Sequence, residues 1–461
     1  MTHEEPDLVK GFIAANISIF LLSTASIGQT QPSALDRLKA YVEVDTTNPP
    51  GNEIRGVAYF SEIFDALGIP YETAEPAPGR GNIWARLEGG SEPALVLLHH
   101  MDVVPATREE WDTDPLEAVV LDGMLHGRGV LDTKSLGVMH LEAFLALHQS
   151  GRTHNRDVIF MATADEEAGG LYGAGWLVKH RPEIFDGVGY LLNEGGRGTK
   201  SGDQTWFEIE IAQKRPYWLR LTATDQPTHG SRPLMTSAPT RLIKALNRIN
   251  DSPFKPRITP SVRQMMQRIA PLLGPDWEQS LKDIDSAVLD PEFLSRLQAE
   301  KPRLHALTRN TCSITMLRGS QKINVVPPTA SAELDCRILP DHDADEFLSK
   351  IRALVNDDQI EVEEIMLFSA AESTADTALY RLIEQIARRH YPQSIVLPAV
   401  LTGFTDSHFF RDMGIVSYGF DPSVSSEEVL GSIHGNNERI EIETFNRGVK
   451  MMIEIVESFT Q

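Results

Sequence analysis

Only two cysteines, Cys312 and Cys336, occur in 461 residues, which excludes a fold built on a disulfide framework. Both fall in strand-like segments. Spacing alone does not establish a bond, so two independent buried thiols are expected, with a Cys312–Cys336 bond as the alternative. Basic charge is also scarce. The 43 Lys and Arg stand against 65 Asp and Glu, a net charge of −22, whereas a nucleic-acid binder would show a basic face. Nucleic acid is therefore not an expected partner. Long apolar runs are missing everywhere but the N-terminus, and no other segment reaches the roughly 20 residues that span a bilayer. The exception, GFIAANISIFLLSTASIG, follows Lys10 and precedes polar QTQPS. It reads as a signal peptide cleaved near Ser26 to Gly28, although the acidic start MTHEEPD departs from the usual basic leader. Residues 1–32 are thus expected to be a signal peptide and linker. That makes the protein exported, periplasmic or secreted, with no stable membrane association after cleavage. An uncleaved anchor, or a mis-assigned start and a cytoplasmic protein, is the alternative.

Apolar residues make up 41% of the chain, enough for two cores, and 461 residues exceed the roughly 250–300 that one core normally serves. From Ser33 onward the pattern alternates helix and strand. ALDRLKAYVEV and GVAYFSEIFDALG have helical spacing, and ALVLL, DVIFMATA and GVGYLL are short apolar strands. This β-α-β alternation predicts an α/β unit, a mostly parallel sheet with helices on both faces. From Lys214 the order becomes β-α-β-β-α-β, interrupted by a helix-forming stretch from about Asp251 to Leu307. That order predicts an inserted ferredoxin-like α+β domain. The expected boundaries are 33–213 and 369–461 for the two parts of the first domain and 214–368 for the insertion.

Each of the three strands runs into His, Asp or Glu: HHMDVVP, DEEAGG and NEGG. Ligands of open α/β sheets sit beyond the carboxyl ends of the strands, so these side chains should converge. His100 and Asp102 lie two apart and point to the same side, the relation by which a carboxylate orients a ligating imidazole. Asp132, in GRGVLDTK, carries two oxygens and is able to bridge two cations. Glu166 and Glu167 leave a strand in opposite directions, which allows one to bind metal and the other to act as general base. Glu194 and the distant His434 complete a set of two imidazoles and three carboxylates, the donors that a co-catalytic zinc pair needs. Taken one at a time, each has a bland reading as a cap, a solvated acid or a surface histidine.

Seven segments occur in order: HMDVVP, GRGVLDTK, ADEEAGG, NEGG, PTHGSRP, INVVPPTASAELDCR and IHGNNE. From about Ser33 to the C-terminus, leaving out 251–307, the chain resembles the co-catalytic zinc family of glutamate carboxypeptidase, aminoacylase-1, carnosinase and succinyl-diaminopimelate desuccinylase. The resemblance implies two Zn2+ per subunit, with Co2+ or Mn2+ as substitutes. Asp132 would bridge the ions, His100 and Glu194 would hold one, and Glu167 and His434 the other. Glu166 would be the general base and Asp102 the partner of His100, and the peptide after Asp132 would be cis. The inserted domain would serve as lid and homodimer interface, with His229 reaching into the partner's site. Asn324, Arg337 and Gly403 match substrate-contacting positions. Thr133 stands where methionine is common in the family, and THGSRP lacks the usual small-residue lead-in. The implied activity is cleavage of an amide in an N-acyl or N-peptidyl amino acid, because Glu rather than Asp at position 194 leans toward carboxypeptidase and deacylase members. A dipeptidase or aminopeptidase of the same metal chemistry is the alternative, and a non-catalytic metal-stabilised binding protein a further one.

Overall fold

The run Ala94–Leu98 is apolar at every position instead of alternating, the pattern of a strand covered on both faces. The computed structural model, which describes residues 31–461, shows those two covers. Leu95 and Leu97 enter the main core with Phe144, Met452 and Val456, whereas Val96 and Leu98 join a second cluster with Leu177, Phe185 and Phe410. Their strand, Glu92–His100, lies inside an eight-stranded sheet. The spatial order is Tyr71–Ala74, Asn82–Leu87, Arg156–Thr163, Glu92–His100, Val188–Ser201, Val416–Ser426, Gln204–Gln213 and Ile395–Leu401. The strands from Arg156–Thr163 to Val416–Ser426 run parallel, with antiparallel pairings on either side. The expected α/β body is present. The signal peptide expected in the first 32 residues falls, except for Gln31 and Pro32, outside the described residues.

Helices hold this sheet by burial. In Lys134–Ser150 the side chains of Leu136, Met139, Ala143, Phe144 and Leu147 are all buried, and a fully buried large apolar side chain contributes about 1.5–3 kcal/mol. Gly151, at φ 62°, ends that helix in the left-handed conformation that glycine adopts without strain. Ile442–Phe459 packs on the same face through Phe445, Met452 and Val456, and Ala174–His180 packs on the other. Among the described residues no helix is long and apolar enough to cross a membrane.

The inserted unit has its own core. Along Thr329–Ile338 burial alternates, with Ala330, Ala332, Leu334, Cys336 and Ile338 inward. Helices Ala238–Asn250 and Ala344–Val355 cover that inner face. The sheet order is Thr311–Arg318, Thr329–Ile338, Arg215–Thr224, Ile360–Leu367, antiparallel throughout, as a ferredoxin-like unit requires.

Two features differ from the sequence reading. The stretch within 214–368 that spans Pro260–Leu307 packs with the other body. Its Val262, Met265, Met266, Trp277, Leu281 and Leu307 belong to the main core. The helix Pro260–Ile269 covers the edge strand Ile395–Leu401, where Val400 N–H meets Met265 Sδ at 3.4 Å, and a covered edge is protected from stray pairing. The two cysteines are not separate thiols. Cys312 and Cys336 lie directly opposite each other on neighbouring antiparallel strands and form a disulfide. This cross-strand register is invisible in the spacing.

Candidate metal centre

Parallel register carries the predicted residues to one end of the sheet. His100 is level with Thr163, and Leu97 with Leu192, so Asp102, Glu166, Glu167 and Glu194 all emerge together. His100 Nδ1 donates to the backbone carbonyl of Asp102 at 2.9 Å. That bond leaves Nε2 facing Asp132 Oδ1 at 3.1 Å and Glu194 Oε1 at 3.3 Å, the tautomer that presents a lone pair to a metal. The other oxygen of Asp132, Oδ2, lies 3.0 Å from His434 Nε2, which is 3.3 Å from Glu167 Oε2. Asp132 therefore offers one oxygen to each imidazole. The Asp132–Thr133 peptide is cis.

The donor set fits divalent cations. Ligand atoms of His100, Glu166 and Glu194 lie within 4.8 Å of one another, as do those of His100, Asp132 and Glu167. Glu167 Oε1 is buried without a hydrogen-bond partner, a costly arrangement for a carboxylate that faces no cation. Burial, then the Glu194 carboxylate, push Glu166 well above the usual carboxylate range. Burial and Asp132 push Glu167 up to about 7. Burial also acts to raise Asp132, but hydrogen bonds from His100 and His434 outweigh it and hold its carboxyl below the ordinary value. Those same contacts with Asp132 and Glu167 push His434 up to about 10. Such a nest of carboxylates attracts positive charge, as protons on imidazole or as metal ions that displace them.

Apart from Asp102, the residues that brace this cluster were not singled out from the sequence. The Asp102 carboxylate lies 3.5 Å from His100 Nδ1, but its closer partners are the N–H groups of Glu166 at 3.1 Å and Glu167 at 3.2 Å, and Asn48 Nδ2 at 2.8 Å. One side chain thus ties the His100 strand to the glutamate loop. Arg80 bridges Glu53 and Asp165 at 2.7 and 2.8 Å, and Glu53 also accepts from the Asp165 N–H at 3.2 Å. All three are buried. Glu438 holds the turn before Asp132. Its only sequence signal was membership of IHGNNE, and that of Asn48 was its place in the Pro- and Gly-rich TTNPPG.

The remaining predicted residues form two groups. The first is on the inserted unit. The short strand Thr228–His229 pairs with Val325–Val326, and Gly230 N–H donates to the Asn324 carbonyl at 2.8 Å, which puts His229 beside Asn324. Ser231 N–H donates to His229 Nδ1 at 3.2 Å, and the imidazole is exposed. Among the described hydrogen bonds and ion pairs, none joins this group to the cluster within one chain. The second group is Arg337 with the Gly403 turn. Arg337 Nε and Nη2 bind Asp335 at 2.6 and 3.0 Å, its guanidinium lies 5.2 Å from the Phe404 ring centroid, and Nη1 is buried and unpartnered. Thr405 of the same turn approaches Gly195, next to Glu194. The Gly403 turn therefore lies between Arg337 and the cluster.

Residues 96–458 match Peptidase family M20/M25/M40. Rat aminoacylase-1A is 28% identical over 93% of this chain and 95% of its own length. The mouse N-fatty-acyl-amino acid synthase/hydrolase PM20D1 is 25% identical over 80% and 75%. Among solved structures, the M20 family metallo-carboxypeptidase Sso-CP2 from Sulfolobus solfataricus superposes with a TM-score of 0.73 at 17% identity, covering 92% of this chain and 99% of that one. Human carnosine dipeptidase 1 follows with a TM-score of 0.67 at 17% identity, over 92% and 95%. With the match spanning most of the sequence and the clustered donors at its centre, the chain belongs to Peptidase family M20/M25/M40 and is a hydrolase.

Proposed function

We propose that the chain is a two-zinc amidohydrolase that cleaves N-acyl or N-peptidyl amino acids bearing a free carboxylate. One observation carries this reading: Asp132 presents an oxygen to each of two imidazoles, each also served by its own glutamate. His100 and Glu194 would hold one ion, Glu167 and His434 the other, with Asp132 shared and Co2+ or Mn2+ as substitutes. When bound, the ions supply the Lewis acidity that brings the pKa of water toward neutrality and polarises a carbonyl. Glu166 removes the proton from the attacking water and delivers it to the leaving amine. Arg337 offers Nη1 to the substrate carboxylate, Asn324 hydrogen-bonds the substrate, and the Gly403 turn lines the pocket through its backbone. His229 of the partner subunit donates Nε2–H to the developing oxyanion, in a homodimer joined through the inserted unit. Aminoacylase-1 and the N-fatty-acyl-amino acid synthase/hydrolase, both named for acylated amino acids or their acyl transfer, support the choice of substrate class.

The test is a panel of N-acetyl amino acids, N-fatty-acyl amino acids and dipeptides assayed with added zinc. Release of amino acid from the acylated compounds is expected, and release from dipeptides alone sinks the deacylase reading in favour of a dipeptidase. Glu166→Gln should lower turnover by roughly 10²–10⁴-fold and leave two metal ions per chain. Unchanged turnover would remove Glu166 as the base. We also propose export, supported by the Cys312–Cys336 bond, because disulfides persist in oxidising compartments. Recovery of the protein only from the cytoplasm would refute it.

A further inference from the structure

Glu438 is fully buried, and donors from a distant turn occupy both its oxygens. Oε1 accepts from the N–H of Leu131 at 2.7 Å and of Asp132 at 3.2 Å. Oε2 accepts from Gly129 N–H at 3.1 Å and from Arg128 Nη1 at 2.8 Å. The Glu438 carbonyl accepts from Gly127 N–H at 3.1 Å. Arg128 closes the strap from the other side, donating from Nη2 to the Gly435 carbonyl at 2.8 Å and stacking 5.1 Å from the Trp111 ring centroid. Asn437 Oδ1 accepts from Asp112 N–H at 2.8 Å. The loop that carries His434 is thus laced to the turn that carries Asp132.

His434 needs such a strap. Its side chain is 52% exposed, so packing does not hold it. It stands at φ 59° and Asn437 at φ 58°, a left-handed conformation that non-glycine residues keep only when their surroundings enforce it. On the other side of the cluster, His100 and Glu194 lie on neighbouring strands of the buried sheet and need no strap.

We infer that Glu438 is a positioning residue for one of the two cation positions, the one between Asp132, Glu167 and His434. It touches neither metal nor substrate. By fixing the separation of Asp132 Oδ2 from His434 Nε2 it sets the affinity of that position far more than of the other, whose His100 and Glu194 are held by their strands. This inference rests on the two-cation reading.

The full-length chain, E438Q and R128K are stripped with a chelator and titrated with Co2+ by visible absorbance and with Zn2+ against a competing chelator. Circular dichroism is recorded alongside. Glutamine keeps the size of the side chain but turns an amide NH2 toward backbone N–H groups that need an acceptor. In folded E438Q the first equivalent should bind as in the parent and the second roughly 10–100-fold more weakly, the usual loss when an outer partner of a ligand is removed. R128K should lose less, and kcat should fall with KM unchanged. Parental affinity for both equivalents in folded E438Q overturns the inference, and so does equal weakening of both, since a general loss of packing would not select one position. If E438Q does not fold, R128K decides, with parental second-equivalent affinity as the refuting result. Fewer than two equivalents in the parent itself overturns the two-cation reading and this inference with it, a failure visible before any variant is compared.

Discussion

The two halves of the centre are built from different materials. His100 and Glu194 stand on strands of the sheet interior, where parallel neighbours and packed helices fix the backbone, and His100 is only 2% exposed. Glu167 stands on the single 3-10 turn Glu166–Ala168 between loops and His434 on a loop, and His434 is half-exposed. The strand half is held by apolar burial. The loop half is held by buried ions, Arg80 with Glu53 and Asp165 on one side and Glu438 with Arg128 on the other. A sheet positions a ligand through many weak contacts, whereas a strapped loop depends on a few strong ones. The first therefore tolerates single losses and the second does not.

The largest expected effect separates the halves by metal content. His100→Ala should abolish turnover and bring zinc well below one ion per chain, because His100 is buried and its loss leaves Glu194 and Asp132 without the imidazole between them, whereas water can take the place of the half-exposed His434. His434→Ala should retain one ion while also losing turnover. Equal zinc content in the two variants would break the comparison. Next comes Arg80→Met, which leaves Glu53 and Asp165 buried without their cation. It should cost about 3–5 kcal/mol in urea unfolding and loosen the loop of Glu166 and Glu167. A change below 1 kcal/mol would show that this loop does not hang on its ion network.

A smaller effect is expected at the substrate end. Arg337→Lys loses the planar fork that Asp335 now orients, and KM should rise about tenfold, the equivalent of about 1.4 kcal/mol, with metal content unchanged. Last comes acid, which acts on buried imidazoles of the sheet body. Burial pushes His140 down to about 3 and His408 down to about 4. Below about pH 6.5 the unfolded chain binds protons at these two imidazoles that the folded chain refuses, so their share of the stability falls as pH drops toward those values, against the buried carboxylates Glu53 and Asp406, which are pushed up and act in the opposite sense. The slope approaches about 1.4 kcal/mol per pH unit for each imidazole. Thermal unfolding of the parent and of His140→Gln, compared between pH 7 and pH 5, isolates that share: the parent should lose more stability, or gain less, than the variant, and identical slopes would refute it.

Legibility followed the same division. His100, Asp102, Glu166, Glu167 and Glu194 were readable because each follows an apolar strand, and parallel strands deliver their ends to one edge. His434 was readable only as the last member of the donor set and through the resemblance, since nothing near it in sequence marks a ligand. Asn48, Arg80, Glu53 and Glu438 escaped because a charged group or an amide in a polar stretch looks the same whether it is solvated or buried. The Pro260–Leu307 helices carried an amphipathic pattern that says an apolar stripe will be covered, without saying by which core.

The sequence by itself determined the α/β class, the inserted β-α-β-β-α-β unit and the donor types of the centre, because these follow from local periodicity and from residue chemistry. Only the tertiary structure decided that Asp132 faces two imidazoles at once, that Cys312 meets Cys336 across a strand pair, and that Glu438 straps the His434 loop to the Asp132 turn. Each of these depends on register or on contacts between distant segments. Such contacts are set by how whole elements pack, and no local pattern encodes them.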